Sequence, residues 1–358
     1  MTTVRPANKV LVTGATGKTG EALVRELLAR GQPVRALVHR RDQRSEQLIG
    51  LGAEVVVADM FDAMDLAHAL NGCDRAYYCP PWHPLMIQSA AAFAIAAQRT
   101  GLGSLVHLSQ WLASPDNPSL ASRQNWLVEE LFGALPGINV VTLNPGFFAD
   151  NYLRLIDFAA QLGIFPMPTS GSQNAPPSNE DIARLAAAVL LNPARHAGQV
   201  YRPTGPDLLS ARDMAEIMGS VLGRKVRHID MPMFMFLKAA RALGVSAFEQ
   251  SGIRHYFAEH KLGAFAYQAP TDHVFKVTGT APESFETTVR RYAGRPEAQR
   301  SLGNTLSALG TFMRIGMTPA HNLDRFDAMQ QHPIPARPSL AINDPVWRET
   351  RRESLSQP

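Results

Sequence analysis

The stretch KVLVTGATGKTG at residues 9–20 constrains this chain more than any other. Residues 9–13 are a short apolar run with β-branched side chains, which reads as a buried strand. It runs directly into Gly14, Gly17 and Gly20, spaced G-x-x-G-x-x-G. An amphipathic pattern follows, with Ala22, Leu23, Leu27 and Leu28 on one face and Glu21, Arg25 and Glu26 on the other. Strand, glycine turn and helix in this order predict a dinucleotide site. Gly14 permits the tight turn, Gly17 lets a pyrophosphate approach the backbone, and Gly20 lets helix and strand pack closely. Thr16, Lys18 and Thr19 sit in the same loop, where free N–H groups and the positive dipole end of the helix face the phosphates. The bland alternative is a glycine-rich turn that binds nothing.

The same strand–helix rhythm continues. Strands are expected at residues 33–38, 53–58, 75–79, 104–108 and 139–143, with helices at 45–50, 64–70, 85–100 and 122–135 between them. Near-continuous apolar strands alternating with helices imply a parallel sheet covered on both faces. Right-handed crossovers then give an α/β, doubly wound Rossmann sheet with ligands at the carboxyl ends of its strands. From about Gly146 the rhythm breaks. Residues 151–162 read as helical, 164–177 as a Pro/Ser/Gly-rich loop, and 179–191 as an Ala-rich helix. Residues 199–202 are expected to return to the sheet as a last strand. Further helices are expected at 210–222, 233–243, 248–260, 271–277 and 284–292, with a short strand at 225–229. The expected organisation is therefore a Rossmann domain at 1–150, rejoined by 178–205, and a smaller, mostly helical substrate lobe at 151–177 and 206–294. Residues 295–358 hold one helical candidate, 301–313, and turn Pro-, polar- and Arg-rich after Thr318. Segments such as QQHPIPARPSL cannot bury enough apolar surface to fold alone. This end is expected to be an extended arm on the body or on a partner subunit, giving a homodimer, or else a disordered tail. Met313, Phe326 and Trp347 favour the arm.

Composition narrows the partners. A formal net charge of +4 over 358 residues is small and spread out. It forms no basic stripe with interleaved aromatics, so no nucleic acid is expected. No apolar run reaches the ~18 residues of a membrane span. The first residues lack the apolar core of a signal peptide. The two cysteines, Cys73 and Cys79, match neither a CxxC redox pair nor a zinc set and read as free thiols. A cytoplasmic protein is the expectation. No HExxH motif, nucleophile elbow or P-loop spacing is present, so no metal site is expected.

An NAD site usually ends strand two with an acid that holds the adenosine ribose. Here the tip reads Val38-His39-Arg40-Arg41, and Asp42 comes only after both arginines. Arg40, with Arg41, suits a 2′-phosphate through charge-assisted hydrogen bonds, and Lys18 adds a second cation on that side. NADP(H) is therefore the expected cofactor. The alternative is that both arginines are solvated surface charges. Asp59 and Met60 after strand three are expected to flank the adenine, and Cys79, Pro80 and Pro81 to run past the ribose.

Several motifs together resemble the NmrA-like branch of the atypical short-chain dehydrogenase/reductases. They are the loop GATGKTG, the tip VHRR, HLS at residues 107–109, NPGFFADNY at 144–152, SNEDIARLAAAVL at 178–190 and YRPTGPDLLSARDMAEIMGSVLGRKV at 201–226. The resemblance covers roughly residues 8–293. It implies NAD(P) binding, usually NADPH, and a small C-terminal lobe. Some members of this branch reduce quinones, enones, imines or phenylpropanoids, whereas others act as redox-sensing regulators. An ordinary short-chain reductase carries Tyr-x-x-x-Lys on one helix face, the tyrosine donating a proton and the lysine lowering its pKa. None of the seven tyrosines here has a lysine four residues on. By the family's spacing, Ala121 and Asn125 stand in the pair's place.

Three residues are the catalytic candidates. Ser109 occupies the position of the family's serine and would hydrogen-bond a substrate oxygen; it also reads as a strand-end cap. Asn125 would hold a ribose hydroxyl, or is an exposed helix residue. Tyr152, with Asn151, is expected to face the substrate. Pro145 and Phe147 are expected to pass the nicotinamide carboxamide. Tyr256 and His260, four apart on one helix face, are a further possible proton source or merely half-buried. The first expectation is an NADPH-dependent oxidoreductase passing hydride to a small apolar or aromatic conjugated substrate without the dyad. The alternative is a non-enzymatic NADP(H) sensor acting through a protein partner.

Overall fold

The computed structural model describes residues 9–356. The leader reading at residues 1–8 and the end of the expected arm at 357–358 lie outside the described residues. The first half alternates strictly. β1 (Lys9–Val12), α1 (Lys18–Ala29), β2 (Val34–Val38), α2 (Gln43–Gly50) and β3 (Glu54–Val57) lead into α3 (Ala63–Leu70), β4 (Cys73–Tyr78) and α4 (Met86–Thr100). β5 (Ser104–Leu108), α5 (Leu120–Gly133) and β6 (Asn139–Leu143) complete the series. The second half begins with α6 (Ala149–Tyr152), β7 (Ile164–Pro166), β8 (Gln173–Asn174), α7 (Asn179–Leu191) and β9 (Val200–Tyr201).

The main sheet has the order β3-β2-β1-β4-β5-β6-β9, and every pairing in it is parallel. Strand order reverses between β1 and β4, which opens a crevice above the carboxyl ends beside the glycine turn. Side-chain alternation divides the core. Val10 and Val12 point to one face and pack with Leu23 and Leu27 of α1 and Leu185 and Val189 of α7. Leu11 points to the other and packs with Leu66 of α3, Phe93 of α4 and Phe132 of α5.

The lobe continues through β10 (Leu209–Ser210), α8 (Ala211–Leu222), β11 (Arg227–Ile229), α9 (Met233–Ala242), α10 (Ala247–Lys261), α11 (His273–Thr278) and α12 (Phe285–Ala293). β11 pairs with β7 and β10 with β8. Tyr152, Phe165, Met214, Phe257 and Tyr292 form its core. The single helix expected over residues 151–162 is instead broken into α6, a 3-10 turn and a π-helical turn at Phe158–Leu162. Arg224 occupies the Ala160 carbonyl, at 2.6 Å, and Gly163 ends the segment in the left-handed region.

The last segment departs from an extended arm. It forms α13 (Leu302–Met317), α14 (Leu323–Gln330) and α15 (Pro345–Ser356). These helices lie against the chain's own body. Ala308 and Ile315 pack on Phe158 and Ala239, and Trp347 packs on Trp111. Glu259 of α10 accepts hydrogen bonds from the Asn117 amide and from the backbone N–H groups of Ala341 and Ile342, which holds the proline-rich stretch before α15 in place. Met313, by contrast, remains exposed. Among the described residues, no helix is long and apolar enough to cross a membrane.

Candidate active site

The glycine turn needs its glycines for steric reasons. Gly14 has φ of +60°, the left-handed region that side chains disfavour. A Cβ on Gly20 would stand 2.2 Å from the Gly14 carbonyl oxygen, so α1 packs onto the turn only with glycine there. The Gly17 N–H donates to the Gly14 carbonyl at 2.8 Å. Gly17 is the N-cap of α1 and brings no side-chain cap, so the first-turn N–H groups remain open to an anion. Thr13 accepts from the Cys79 N–H at 2.8 Å and joins the tips of β1 and β4.

A cavity of about 540 Å³ begins at this turn and runs under the lobe. Gly17, Lys18 and Thr19 form one end, and Cys79 and Pro80 follow from the end of β4. Ser109 and Gln110 follow the end of β5, and Pro145, Gly146 and Phe147 follow the end of β6. Trp82, Phe236, Ile253, Tyr256 and Phe257 make the apolar roof. Of the other expected cofactor residues, Gly14, Thr16, Gly20, Arg40, Arg41, Asp59, Met60 and Pro81 are not part of this wall. Arg40 and Arg41 lie exposed at the tip of β2, and neither is paired with another described residue. The Asp59 carboxylate accepts from the Phe61 N–H and shapes the turn after β3.

Lys18 does not stand with the arginines. Its Nζ donates to the Tyr292 hydroxyl at 3.1 Å and lies 3.7 Å from Asp150. Burial lowers its pKa, with Asp150 opposing that and Arg154 and Arg295 adding to it. Tyr292 in turn donates to Asp150. This ties the glycine loop to α6 and α12, a contact that no local pattern announces. Asn179, at the start of α7, also lines the cavity; it is buried and its Oδ1 has no partner among the described residues.

The three catalytic candidates separate. Ser109 and Asn125 both line the cavity and are almost wholly buried. The Ser109 hydroxyl donates to Glu129 on α5. The Asn125 amide donates to the Ala121 carbonyl at 2.8 Å, leaving its oxygen for a ligand. Tyr152 is not at the wall. It is buried in the lobe core, where its hydroxyl bonds His260 Nε2 at 2.7 Å and accepts from Asn174 at 3.2 Å. The cause is packing: Phe147 and Phe285 both meet its ring edge-on. Burial drives the Tyr152 phenol well up. His260 is spent in the same network, with Ser172 at its Nδ1, and burial holds it down to about 4.

Tyr256 is different. Its ring lines the cavity, and its hydroxyl makes no hydrogen bond to another described residue. Burial raises its pKa, so the phenol keeps its proton at neutral pH. Glu129 lies one turn beyond Asn125 on α5, and that i, i+4 spacing is the one sequence signal that points to it.

Comparisons with known proteins identify the fold and the family. The chain is similar to NAD(P)H azoreductase from Xenophilus azovorans, 28% identical over 285 residues, spanning 79% of this chain and 95% of that protein. Its fold is similar to an NADPH-dependent quinone oxidoreductase from Escherichia coli complexed with NADPH, at TM-score 0.69 and 21% identity over 79% of this chain and 99% of that one. Triphenylmethane reductase from Citrobacter sp., complexed with NADP(H), gives a TM-score of 0.67 at 20% identity, covering 79% of this chain and 99% of the other. A family model matches residues 6–260, well over half the chain, and the protein belongs to the NmrA-like family.

Proposed function

We propose that this protein is an NADPH-dependent oxidoreductase that passes hydride to a flat, apolar, conjugated acceptor such as a quinone or an azo compound, without a Tyr–Lys dyad. The observation that carries this reading is the cavity joining the glycine turn to an aromatic roof. The azoreductase and quinone oxidoreductase among its relatives support it. The cofactor fits the residues present. Gly14 takes a positive φ, a Cβ on Gly17 or Gly20 would crowd the Gly14 carbonyl oxygen, and the open N-terminus of α1 lies at this tight turn. Arg40 and Arg41 supply unpaired cations for a 2′-phosphate.

NADPH, when bound, supplies the hydride. This chain's residues do the rest. Pro145 and Phe147 flank the nicotinamide end, and Trp82, Phe236 and Phe257 hold the acceptor flat and exclude water. Tyr256 holds a proton at its free hydroxyl for the reduced acceptor. Hydride from the bound cofactor and this proton together would complete a two-electron reduction of the acceptor. An activated alkene, quinone or azo bond accepts hydride without the carbonyl protonation that the missing tyrosine would provide.

The test is consumption of NADPH and of NADH against a quinone, an azo dye, an enone and a simple aldehyde. Turnover with at least one of the first three, none with the aldehyde, and preference for NADPH are expected. Tight NADPH binding with no turnover of any acceptor overturns the enzyme reading and leaves an NADP(H)-responsive regulator. Such a regulator would associate differently with NADP⁺, with NADPH and without ligand.

A further inference from the structure

Ser109 reaches the cavity wall from the end of β5, and its hydroxyl donates to Glu129 Oε1. The Glu129 side chain is 15% exposed and stands behind Ser109, off the cavity wall. Facing it from α15 is Arg351, whose side chain is 6% exposed and whose Nη2 lies 3.5 Å from Glu129 Oε1. Asn144, at the end of β6, bridges the two. In the amide orientation that satisfies both neighbours, its nitrogen donates to Glu129 at 3.1 Å and its oxygen accepts from Arg351. Arg351 is held there by its own hydrogen bond to the Ala113 carbonyl at 3.2 Å and by Trp347, one turn earlier, packed on Trp111.

An ionised carboxylate only accepts hydrogen bonds, so a serine beside it must donate. A protonated one donates instead and releases the serine's hydrogen toward the cavity. Burial favours the protonated form of Glu129, and Glu130 on the same helix adds to that; Arg351 and Ser109 oppose it. We propose that Arg351 is a positioning residue of the active site: it keeps Glu129 ionised behind Ser109, so that Ser109 turns its proton inward and offers a lone pair to an N–H or O–H group of the bound ligand, rather than a proton to a substrate oxygen. Arg351 lies well past residue 260, where the family match ends, so the C-terminal segment completes a site that the rest of the chain leaves unfinished. The consequence for turnover rests on the oxidoreductase reading; the protonation of Glu129 does not.

The experiment therefore has two arms. Isotope-edited infrared spectra of protein with ¹³C-carboxyl glutamate, with Glu129→Gln subtracted, report Glu129 without any substrate. A carboxylate band at pH 7 is expected in the wild type and in Arg351→Lys, and an acid band in Arg351→Ala. Arg351→Met, which keeps the apolar stem, replaces Arg351→Ala should that variant not fold. An acid band in the wild type, or an unchanged carboxylate band after loss of the guanidinium, overturns the proposal. In the second arm, Arg351→Ala lowers kcat by about tenfold with NADPH affinity unchanged, and adds nothing further in a Glu129→Gln background. Additive losses show that Arg351 acts only by holding α15 and also overturn the proposal. Absence of turnover in the wild type sinks the enzyme reading alone, and the infrared arm still decides.

Discussion

The indole of Trp347 meets that of Trp111 edge-on, with ring centroids 5.3 Å apart, and its Nε1 donates to the Trp111 carbonyl at 3.2 Å. The guanidinium of Arg202 stacks on the Trp111 ring at 3.5 Å, and the Trp111 Nε1 donates to the Ala264 carbonyl. Trp111 follows Ser109 by two residues. The last helix is thus anchored next to the wall of the cavity.

Trp347 is 4% exposed and packs with Trp111, so its removal leaves a cavity between them. Trp347→Ala is expected to cost about 3–5 kcal/mol, with Trp347→Phe recovering much of it. Urea unfolding followed by circular dichroism checks this, and a loss below about 1 kcal/mol would mean that α15 is not part of the cooperative fold.

Gly20→Ala places a methyl group 2.2 Å from the Gly14 carbonyl oxygen. The turn must open, and NADPH affinity is expected to fall by at least about tenfold, since the helix N-terminus then leaves the phosphates. Gly50→Ala, where a Cβ meets nothing within 4 Å, is the control. Fluorescence titration with NADPH compares the two, and equal affinities would refute the assignment of the turn.

Arg40→Ala and Arg41→Ala test cofactor choice. A lost charge-assisted hydrogen bond to phosphate is worth about 1.5–3 kcal/mol, or roughly a 10- to 100-fold weaker NADPH Kd. NADH affinity should not change. Parallel titrations read both, and a variant pair that leaves NADPH affinity intact removes the 2′-phosphate role.

Tyr256→Phe keeps the aromatic roof and removes the one hydroxyl proposed as a proton source. A loss in kcat of about tenfold or more is expected, with NADPH affinity and fold unaltered. Unchanged kcat with a quinone would assign the proton to water.

Buried histidines set the acid limit. Burial holds His107 down to about 3, and His255, His260 and His273 down to about 4. Unfolded, each titrates near about 6.5. Between those values the unfolded chain binds more protons. Stability that is complete above about pH 6.5 is therefore lost as pH falls toward 4. His107 has no hydrogen-bond partner on either ring nitrogen among the described residues and packs edge-on against Phe132. His107→Phe should flatten the pH dependence of the urea midpoint between pH 7 and 4.5; an unaltered slope would exclude His107 from it.

Much of the Rossmann half was legible because its signals are local. Val10, Leu11 and Val12 announce a strand buried on both faces, and the glycine spacing after them announces the turn. The absence of a Tyr-x-x-x-Lys spacing is also readable, and the resemblance to the family puts its place near Ala121 and Asn125. The next turn of that face holds Glu129.

The sequence by itself determined the strand–helix order, the dinucleotide turn and the absence of a Tyr–Lys pair, because each depends on residues within a few positions of one another. The tertiary structure decided which side chains reach the cavity. Tyr152 turns into the core because Phe147, Phe285 and His260 enclose it, residues up to 133 positions away. Lys18 is drawn to Asp150 and Tyr292 rather than toward Arg40. The polar, proline-rich end is held on the body where Glu259 receives its backbone N–H groups and Trp111 receives Trp347. Such contacts arise from packing between distant segments, and short-range spacing carries no record of them.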